Sequence, residues 1–403
     1  MGYRTIPLTL AACAMVLAAG CGDTSTAPGS IEVLGEPANL SARNSLHAGV
    51  VVAWNETGRQ LIADRNVTAA DIQGRILSYL SLAQYNAIVE AERAKEPHHR
   101  ASPAAAVAGA SVVVLTSFFP GDAAQLEAAL EAQFLSGVPG GPGRRGDDIA
   151  SGEDIGRLVG AEVVAYAAAD NFNQASPPAV PTGENLWFSS SPTTPPRISL
   201  FGARPFFLVS EDQFRSPPPP AFGSPEFLAD LAEIRAISDS RTEEQRAIAK
   251  LWGPRGPAWL NGVAAEAIAA RGWGDRKAAH LLALANMAGF DAQIGCFDAK
   301  FAYWFIRPSQ ADPAITLAIS LPNHPSYISA HSCIAASYTA VLSQAFPDEE
   351  ARFTADMKLA GLSRMYGGIH YRFDVTAGQE LGRQVAQWAI AHDVVGHEPF
   401  PLD

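Results

Sequence analysis

The chain has 403 residues, of which 48% are hydrophobic, and its formal net charge is −12. This length and apolar content are sufficient for one large core or two fused lobes. The acidic balance argues against a general nucleic-acid-binding protein, so an anionic substrate would need a local basic pocket.

The N-terminus has the pattern of an export signal. Arg4 supplies a positive charge, and residues 8–19 are apolar but too few to span a bilayer as a mature helix. The segment ends at Gly20 and Cys21, in a sequence that resembles a bacterial lipoprotein box. We therefore predict a signal peptide over residues 1–20, lipidation of Cys21 and a flexible tether over residues 21–40.

These features predict an exported protein. It would be a lipoprotein on the periplasmic side or in the outer membrane, held to the membrane through its lipid anchor only. The alternative is ordinary signal cleavage near the same point, which would give a free periplasmic or secreted protein. No other segment has the pattern of a transmembrane helix.

From residue 41 onward, the chain has mostly helical patterns. Thr68 and Asp71 resemble a capping box, with Asp in place of the usual Glu or Gln. They precede apolar residues that recur every three or four positions, namely Ile72, Ile76, Leu80, Ala83 and Ala87. This period predicts an amphipathic helix with those residues on its buried face.

Three further helix starts are predicted from local sequence. Ser102-Pro103 and Ser224-Pro225 each place an N-cap serine before a proline at the first helical position. Thr242 and Gln245 form a capping box. Strand-like alternation is scarce, so we predict a single all-α domain, a helical bundle, over residues 41–403.

Two stretches interrupt the helical patterns. Residues 137–146 are rich in Gly and Pro and predict a surface loop. Residues 176–225 are rich in Pro and aromatic side chains and lack a helical period. A segment of that length is often functional, so it would either lie over a pocket mouth or pack on the helices.

Lys300 and Arg307 form the first of three polar blocks near the C-terminus. A mostly apolar run over residues 273–307 predicts one long helix or two. Seven residues correspond to two helical turns, so both cations would lie on nearly the same face. Their neighbours are largely aromatic, and buried cations need an anionic partner.

The second block runs from His324 to Ser332. Ser329 is placed to be the N-cap of a following helix, and the free N–H groups of that first turn would bind an anion. His331 would then lie beside the anion as a proton donor or acceptor. The alternative is a histidine that only caps or packs near a helix start.

The third block contains Arg364, His370 and Asp374. Gly367 and Gly368 permit a sharp turn and close backbone approach, so the Arg364 and His370 side chains would return to one point. Asp374 would bond the far nitrogen of His370 and define its tautomer, as carboxylates do for metal-bound histidines.

Together the blocks read Lys-x6-Arg-Pro, Ser-x-His and Ser-Arg-x5-His-x3-Asp. In this the chain resembles the type 2 phosphatidic acid phosphatases and vanadium-dependent haloperoxidases. The resemblance implies an all-α helical bundle of the acid phosphatase/vanadium haloperoxidase type with long Pro-rich loops. The oxyanion site would lie in a C-terminal core of about residues 275–395.

The resemblance also implies residue roles. The oxyanion oxygens would be bound by Lys300, Arg307, Ser329, the Ala330 amide and Arg364. His331 would be the acid/base residue, and His370 would be the vanadium ligand of a vanadate cofactor, or the phosphorylated nucleophile of a phosphatase. The group usually has glycine where this chain has Ala330.

Two features are more similar to the haloperoxidase branch. His370-Tyr-Arg-Phe-Asp374 resembles the run after the vanadium-binding histidine, and His324 lies seven residues before His331, as in algal bromoperoxidases. The alternative for His324 is that it only starts a turn before Pro325. If the resemblance holds there, it implies bromide or iodide rather than chloride as substrate.

The implied reaction oxidises halide with hydrogen peroxide to hypohalous acid, which would act on an organic acceptor. Lys300 would polarise peroxide, His331 would transfer protons, and the metal would act as a Lewis acid. The rival interpretation is a phosphomonoesterase with His370 as nucleophile and His331 as acid. A third is a protein that keeps the fold and only binds an anion or a partner.

Four cysteines are present in the sequence. Cys13 would leave with the signal and Cys21 would carry lipid. Cys296 and Cys333 lie beside the polar blocks. Export permits a disulfide between them, and two buried free thiols are the alternative.

Overall fold

The computed structural model describes residues 49–94, 101–135, 144–173, 179–189, 199–396 and 398–402. The predicted signal, Cys21 and the tether lie outside the described residues. Within the described ranges the structure is helical, and an isolated bridge between Leu186 and Phe305 is their only β pairing. The predicted all-α class is confirmed.

Thirteen α-helices make up the described part of the chain. They are α1 Val50–Asp64, α2 Ala70–Arg93, α3 Pro103–Phe118, α4 Ala123–Leu135, α5 Arg144–Ala168, α6 Pro225–Ser240, α7 Glu243–Leu251, α8 Pro257–Ala270, α9 Asp275–Tyr303, α10 Pro308–Ala311, α11 Ala330–Ala345, α12 Glu350–Tyr366 and α13 Arg372–Ala391. No helix of the described residues is long and apolar enough to cross a membrane.

Three of the four helix starts predicted upstream of the polar blocks are confirmed. The Ser102 side chain accepts from the Ala105 N–H at the start of α3, and the Ser224 side chain accepts from the Phe227 N–H at the start of α6. Thr242 and Gln245 form the predicted capping box of α7. These caps satisfy N–H groups that the first helical turn leaves without partners.

The predicted capping box at Thr68 is wrong. Helix α2 begins at Ala70, with Ala69 at the N-cap and no side-chain cap, because Asp71 is already inside the first turn. Ile72 is also 36% exposed, whereas the other four residues of that predicted face are buried. The predicted loop over residues 137–146 is partly wrong as well, since α5 already begins at Arg144.

Helix α9 is the centre of the bundle. Its residues are buried almost continuously from Ala278 to Phe301, and it packs against α2, α8, α11 and α13. Helix α11 in turn contacts α12 and α13. Gly378 of α13 allows this close approach, because a Cβ there would lie 2.6 Å from the Ser329 carbonyl oxygen. The three polar blocks are therefore carried by helices in direct contact.

Arg307 lies beyond the end of α9, so the prediction that two helical turns link it to Lys300 is wrong. The helix ends at Tyr303 because Trp304 adopts a left-handed conformation with φ of 48°. Such a C-cap is usually glycine, and the sequence contains no such signal here. Arg307 is instead the N-cap residue of the short helix α10.

The aromatic segment of residues 176–225 packs on the helices where it is described. Trp187 is buried against Trp304, and the backbone N–H of Trp187 donates to the Trp304 carbonyl at 2.7 Å. The Asp291 carboxylate accepts the N–H groups of Phe206, Phe207 and Leu208 at 2.7–3.1 Å. These bonds attach the segment to α9, as the packing interpretation expects.

Candidate active site

A cavity of about 180 Å³ lies between α2, α9, α11 and the loops that precede α11 and α13. Its lining contains the residues of the second and third polar blocks. They are Ala70, Asp71, Gln293, Phe297, Pro322, His324, Ala330, His331, Ile334, Arg364, Ile369 and His370. Side chains of these two blocks that are separated by up to about 46 positions therefore line one cavity.

His370 is buried in the cavity wall with both ring nitrogens engaged. Its Nδ1 lies 2.7 Å from Asp374 Oδ2, and its Nε2 lies 3.0 Å from Arg307 Nη1. Because a carboxylate only accepts and a guanidinium only donates, these partners assign the proton to Nδ1 and a lone pair to Nε2. Burial, with help from Arg307 and Lys300, lowers the pKa of His370 well below its usual range. The imidazole is therefore neutral.

Asp374 holds this tautomer, as the sequence predicted. Its Oδ2 also accepts from the Ser326 hydroxyl at 2.5 Å and from the Tyr371 N–H at 3.2 Å. Burial raises the pKa of Asp374 to about 6, and the Ser326 hydrogen bond and the Lys300 charge oppose that rise. The carboxylate is ionised at neutral pH and is bonded to the loop before α11 and to the loop before α13.

Arg307 connects the loop before α11 with the loop before α13. Nη1 donates to the Ile369 carbonyl at 2.8 Å, and Nε and Nη2 both reach the His324 carbonyl. The side chain is fully buried, and burial lowers the pKa of its guanidinium. Arg307 thus lies directly behind the cavity wall that His324 and His370 form.

Lys300 is also fully buried behind the cavity. Its Nζ donates to the carbonyls of Pro325, Ser326 and Ile328 at 2.5–2.9 Å. Carbonyl dipoles solvate the ammonium without neutralising it, and burial lowers the pKa of Lys300 to about 8. The loop that leads into α11 is therefore built around a cation.

Helix α7 and the loop after it hold the other two polar groups. Arg364 Nη2 donates to the Ala249 carbonyl at 3.2 Å, in the last turn of α7. Those end carbonyls lack helical partners and carry the negative end of the helix dipole, which favours a cation. His331 Nε2 lies 3.1 Å from the Trp252 carbonyl just beyond. The sequence analysis missed this support from α7.

Ser329 is the N-cap residue of α11, as predicted, but it makes no side-chain cap. Its hydroxyl instead accepts from Ser332 Oγ at 3.0 Å. Ala330 follows at the first helical position and lines the cavity with His331. In the same lining the His324 ring lies 5.2 Å from the ring of Phe297, a residue of the site that the sequence analysis did not single out.

The charges of this site do not balance. Lys300, Arg307 and Arg364 are at most 3% exposed, and the carboxylates beside them in the described structure are Asp374 behind the wall and Asp71 in the cavity lining, which leaves an excess of positive charge. Burial lowers the pKa of Arg364, and the positive charge of Arg307 lowers it further. Uncompensated buried cations are costly, so this arrangement is suited to an added anion.

The structure therefore divides the predicted site residues into two groups. His324, Ala330, His331, Arg364 and His370 line the cavity. Lys300, Arg307, Ser329 and Asp374 lie behind its wall and are joined to it by the contacts described above. The cavity also includes Gln293 and Asp71, which sequence reasoning missed.

Cys296 and Cys333 are buried free thiols in this structure. Cys296 Sγ donates to the Ile328 carbonyl at 3.6 Å, the same oxygen that Lys300 contacts. The alternative of two buried thiols therefore describes this structure, and the pair packs directly behind the Lys300 loop.

Comparison with known proteins identifies the fold. The model of the VCPO second helical-bundle domain matches residues 349–394, which include Arg364, His370 and Asp374. A bacterial vanadium-dependent iodoperoxidase superposes with a TM-score of 0.69 at 22% identity, covering 88% of this chain and 96% of its own. No curated protein sequence is significantly similar to this chain.

Two forms of a bacterial vanadium-dependent chloroperoxidase also match. The holo form gives a TM-score of 0.65 at 14% identity, over 82% of this chain and 93% of its own. The apo form gives a TM-score of 0.64 at 13% identity, over 81% of this chain and 95% of its own. The predicted bundle of the vanadium haloperoxidase type is thereby confirmed at the level of the fold.

Proposed function

We propose that this protein is a vanadate-dependent haloperoxidase that oxidises halide with hydrogen peroxide. The observation that carries the proposal is the lone pair of His370 Nε2, which accepts from Arg307 Nη1 in the wall of a cavity that Arg364 lines and that Lys300 and Arg307 back. A nitrogen ligand next to unbalanced positive charge suits a tetrahedral metal oxyanion. The matching bacterial folds belong to vanadium-dependent enzymes.

The donor set fits vanadate. His370 supplies one neutral nitrogen in a defined tautomer, with the carboxylate partner that metal-bound histidines commonly have. Arg364 and the first turn of α11 reach the cavity directly, and Arg307 and Lys300 lie behind it. When bound, vanadate supplies a Lewis acid that activates peroxide toward halide. The protein holds the charge that this chemistry needs.

The positive residues stabilise negative charge in the cavity without reorganising. Lys300 is solvated by three carbonyls, and Arg307 is anchored at two loops. Groups held rigidly in a low-dielectric interior act more strongly than the same groups in water. Lys300 and Arg307 therefore favour every anionic species that occupies the site.

His331 is the group that moves protons. Its Nε2 donates to the Trp252 carbonyl, so the lone pair is on Nδ1. Burial, reinforced by the charge of Arg364, lowers the pKa of His331, and the ring is neutral at physiological pH. We infer that His331 Nδ1 accepts a proton when an anion in the cavity offsets the charge of Arg364, and that it returns the proton when product leaves.

His324 and Phe297 form the place for the halide. Their rings are packed together on the cavity wall. An aromatic surface beside the positive site suits a large, weakly hydrated anion better than a small one. We infer that bromide and iodide are preferred to chloride. Relative kcat/KM values for the three halides test this, and a preference for chloride would contradict it.

The main test of the function is reconstitution of the full chain with vanadate. After removal of unbound vanadate, the protein is expected to consume peroxide only when bromide is added and to brominate a chromogenic organic acceptor. Protein without vanadate is the control. Hydrolysis of a chromogenic phosphate monoester by the vanadium-free protein, without any bromination by the loaded protein, would instead support the phosphatase interpretation.

A further inference from the structure

Gln293 is a buried polar residue of the cavity that neither the fold nor the mechanism described above uses. It lies on α9, one turn before Phe297 and two turns before Lys300, so the three side chains share one face of the helix. Gln293 is 1% exposed and lines the cavity. Its Nε2 has no hydrogen-bond partner within the described part of the chain.

The fold makes room for this amide. Gly74 of α2 lies against it, and a Cβ at position 74 would collide with Gln293 Nε2. A buried amide without a hydrogen-bond partner destabilises the free protein. Because the Gln293 side chain lines the cavity, a ligand bound there can supply the missing partner.

The cavity restricts what that ligand can be. The volume of about 180 Å³ must also hold the oxyanion beside His370, which leaves space for a molecule of only a few atoms. The Asp71 carboxylate, which accepts from the Ser199 hydroxyl, lies in the same wall one turn before Gly74. Its negative charge disfavours a halide at this end of the cavity.

We propose that Gln293 binds hydrogen peroxide, the small neutral reactant of the proposed reaction. An amide offers both a donor and an acceptor, and hydrogen peroxide carries O–H groups and oxygen lone pairs that match both. The halide would lie beside His324 and Phe297, one helical turn farther along α9. This inference rests on the proposed haloperoxidase function and adds a residue that distinguishes the two substrates.

The test is Gln293→Met, which keeps the length of the side chain and removes both hydrogen-bonding groups. We expect the KM for peroxide to rise about tenfold, equal to about 1.4 kcal/mol, while the KM for bromide changes by less than about twofold. A spectral titration of the vanadate-loaded protein with peroxide, without halide, should show the same rise in Kd. Vanadate retention should be unchanged.

Gln84→Met is the matched control. Gln84 is equally buried, but its amide is satisfied by Asn55 and Ser111, so this variant should lower the melting temperature and leave both KM values unchanged. Gln293→Met should not lower the melting temperature, because no protein hydrogen bond of the described structure is lost.

Unchanged peroxide affinity in Gln293→Met would overturn the inference. An equal rise in both KM values would do the same, and so would a rise for bromide alone. Failure of the proposed function is a different result, since it appears in the unaltered protein as vanadate loading without halide-dependent peroxide consumption.

Discussion

Two polar regions are buried in this bundle, and helix α9 contributes to both. The first is an amide network formed by Asn55, Gln84, Asn261, Asn286 and Tyr338, from five different helices. The second is the cation site formed by Lys300, Arg307, Arg364, His370 and Asp374. Asn286 and Lys300 are separated by about 21 Å along the same helix. Both regions are almost completely closed to solvent.

The two regions differ in their charge. In the amide network, Asn55 Nδ2 donates to Gln84 Oε1 at 2.6 Å, and the Tyr338 hydroxyl donates to Asn286 Oδ1 at 2.6 Å. Asn261 Oδ1 is the one network atom recorded without a partner in the described structure. Such a neutral, nearly closed network specifies how helices pack.

The cation site differs from the amide network chiefly in charge. Its donors reach backbone carbonyls and the His370 lone pair, and Asp374 Oδ1 is buried without a partner in the described structure. Three cations there face two carboxylates, Asp374 behind the wall and Asp71 in the cavity lining. The charge imbalance, rather than the burial of polar groups, separates a functional site from a structural one here.

The largest expected effect is loss of vanadate retention in His370→Ala. Removing the nitrogen ligand should abolish retention through gel filtration, as measured by the vanadium content of the protein. His280→Ala is the matched control, because His280 is also paired with a carboxylate, that of Asp393 at 2.9 Å, away from the cavity. Full vanadium content in His370→Ala would show that His370 is not the vanadium ligand.

A second variant, Asp374→Asn, tests the partner of that ligand. An amide in place of the carboxylate weakens the definition of the His370 tautomer and leaves the Ser326 hydroxyl with a poorer acceptor. Vanadate affinity should fall about 10–100-fold, measured by equilibrium titration. Asp393→Asn should leave it unchanged, and equal losses in both variants would mean that Asp374 acts only on stability.

The third prediction concerns pH and Lys300. Its pKa is lowered to about 8 by burial, so the free site loses a positive charge as pH rises through that value. Phosphate affinity should then fall with a limiting slope of about tenfold per pH unit above pH 8. Phosphate is a suitable probe because it is already the dianion in this range.

Lys300→Met should remove that slope near pH 8 and bind phosphate weakly throughout. Its melting temperature without anion should fall, because the buried carbonyls of Pro325, Ser326 and Ile328 lose their common donor. In the loaded protein, turnover should fall more than stability. An unaltered pH slope in this variant would show that another group titrates.

The smallest expected effect belongs to the amide network. Tyr338→Phe removes the hydrogen bond to Asn286 and should lower the free energy of unfolding by about 1–2 kcal/mol. The affinity for vanadate should be unchanged. A variant of this network that altered anion binding without altering stability would break the contrast between the two regions.

The sequence predicted what depends on local chemistry. Capping by Ser102, Ser224 and Thr242 involves residues three positions apart, so the helix starts were readable. The end of α9 was not, because Trp304 takes a left-handed conformation that only tertiary packing enforces on a non-glycine residue. The relation between Lys300 and Arg307 was therefore mispredicted.

The convergence of the polar blocks was predicted from a resemblance rather than from spacing. The His370–Asp374 contact joins residues four positions apart and was predicted from the sequence. The contacts of Arg364 and His331 with the end of α7 join residues about 80–115 positions apart, and no local pattern encodes them. Gln293 was missed because its interest lies in the lack of a partner.

The central claim is that the buried cations and His370 surround a single tetrahedral oxyanion. Isothermal titration of the vanadium-free protein with vanadate tests it most directly. We predict one saturable site per chain, displaced competitively by phosphate and lost in His370→Ala but not in His280→Ala. Absence of saturable binding, or binding indifferent to phosphate and to His370, would contradict the account.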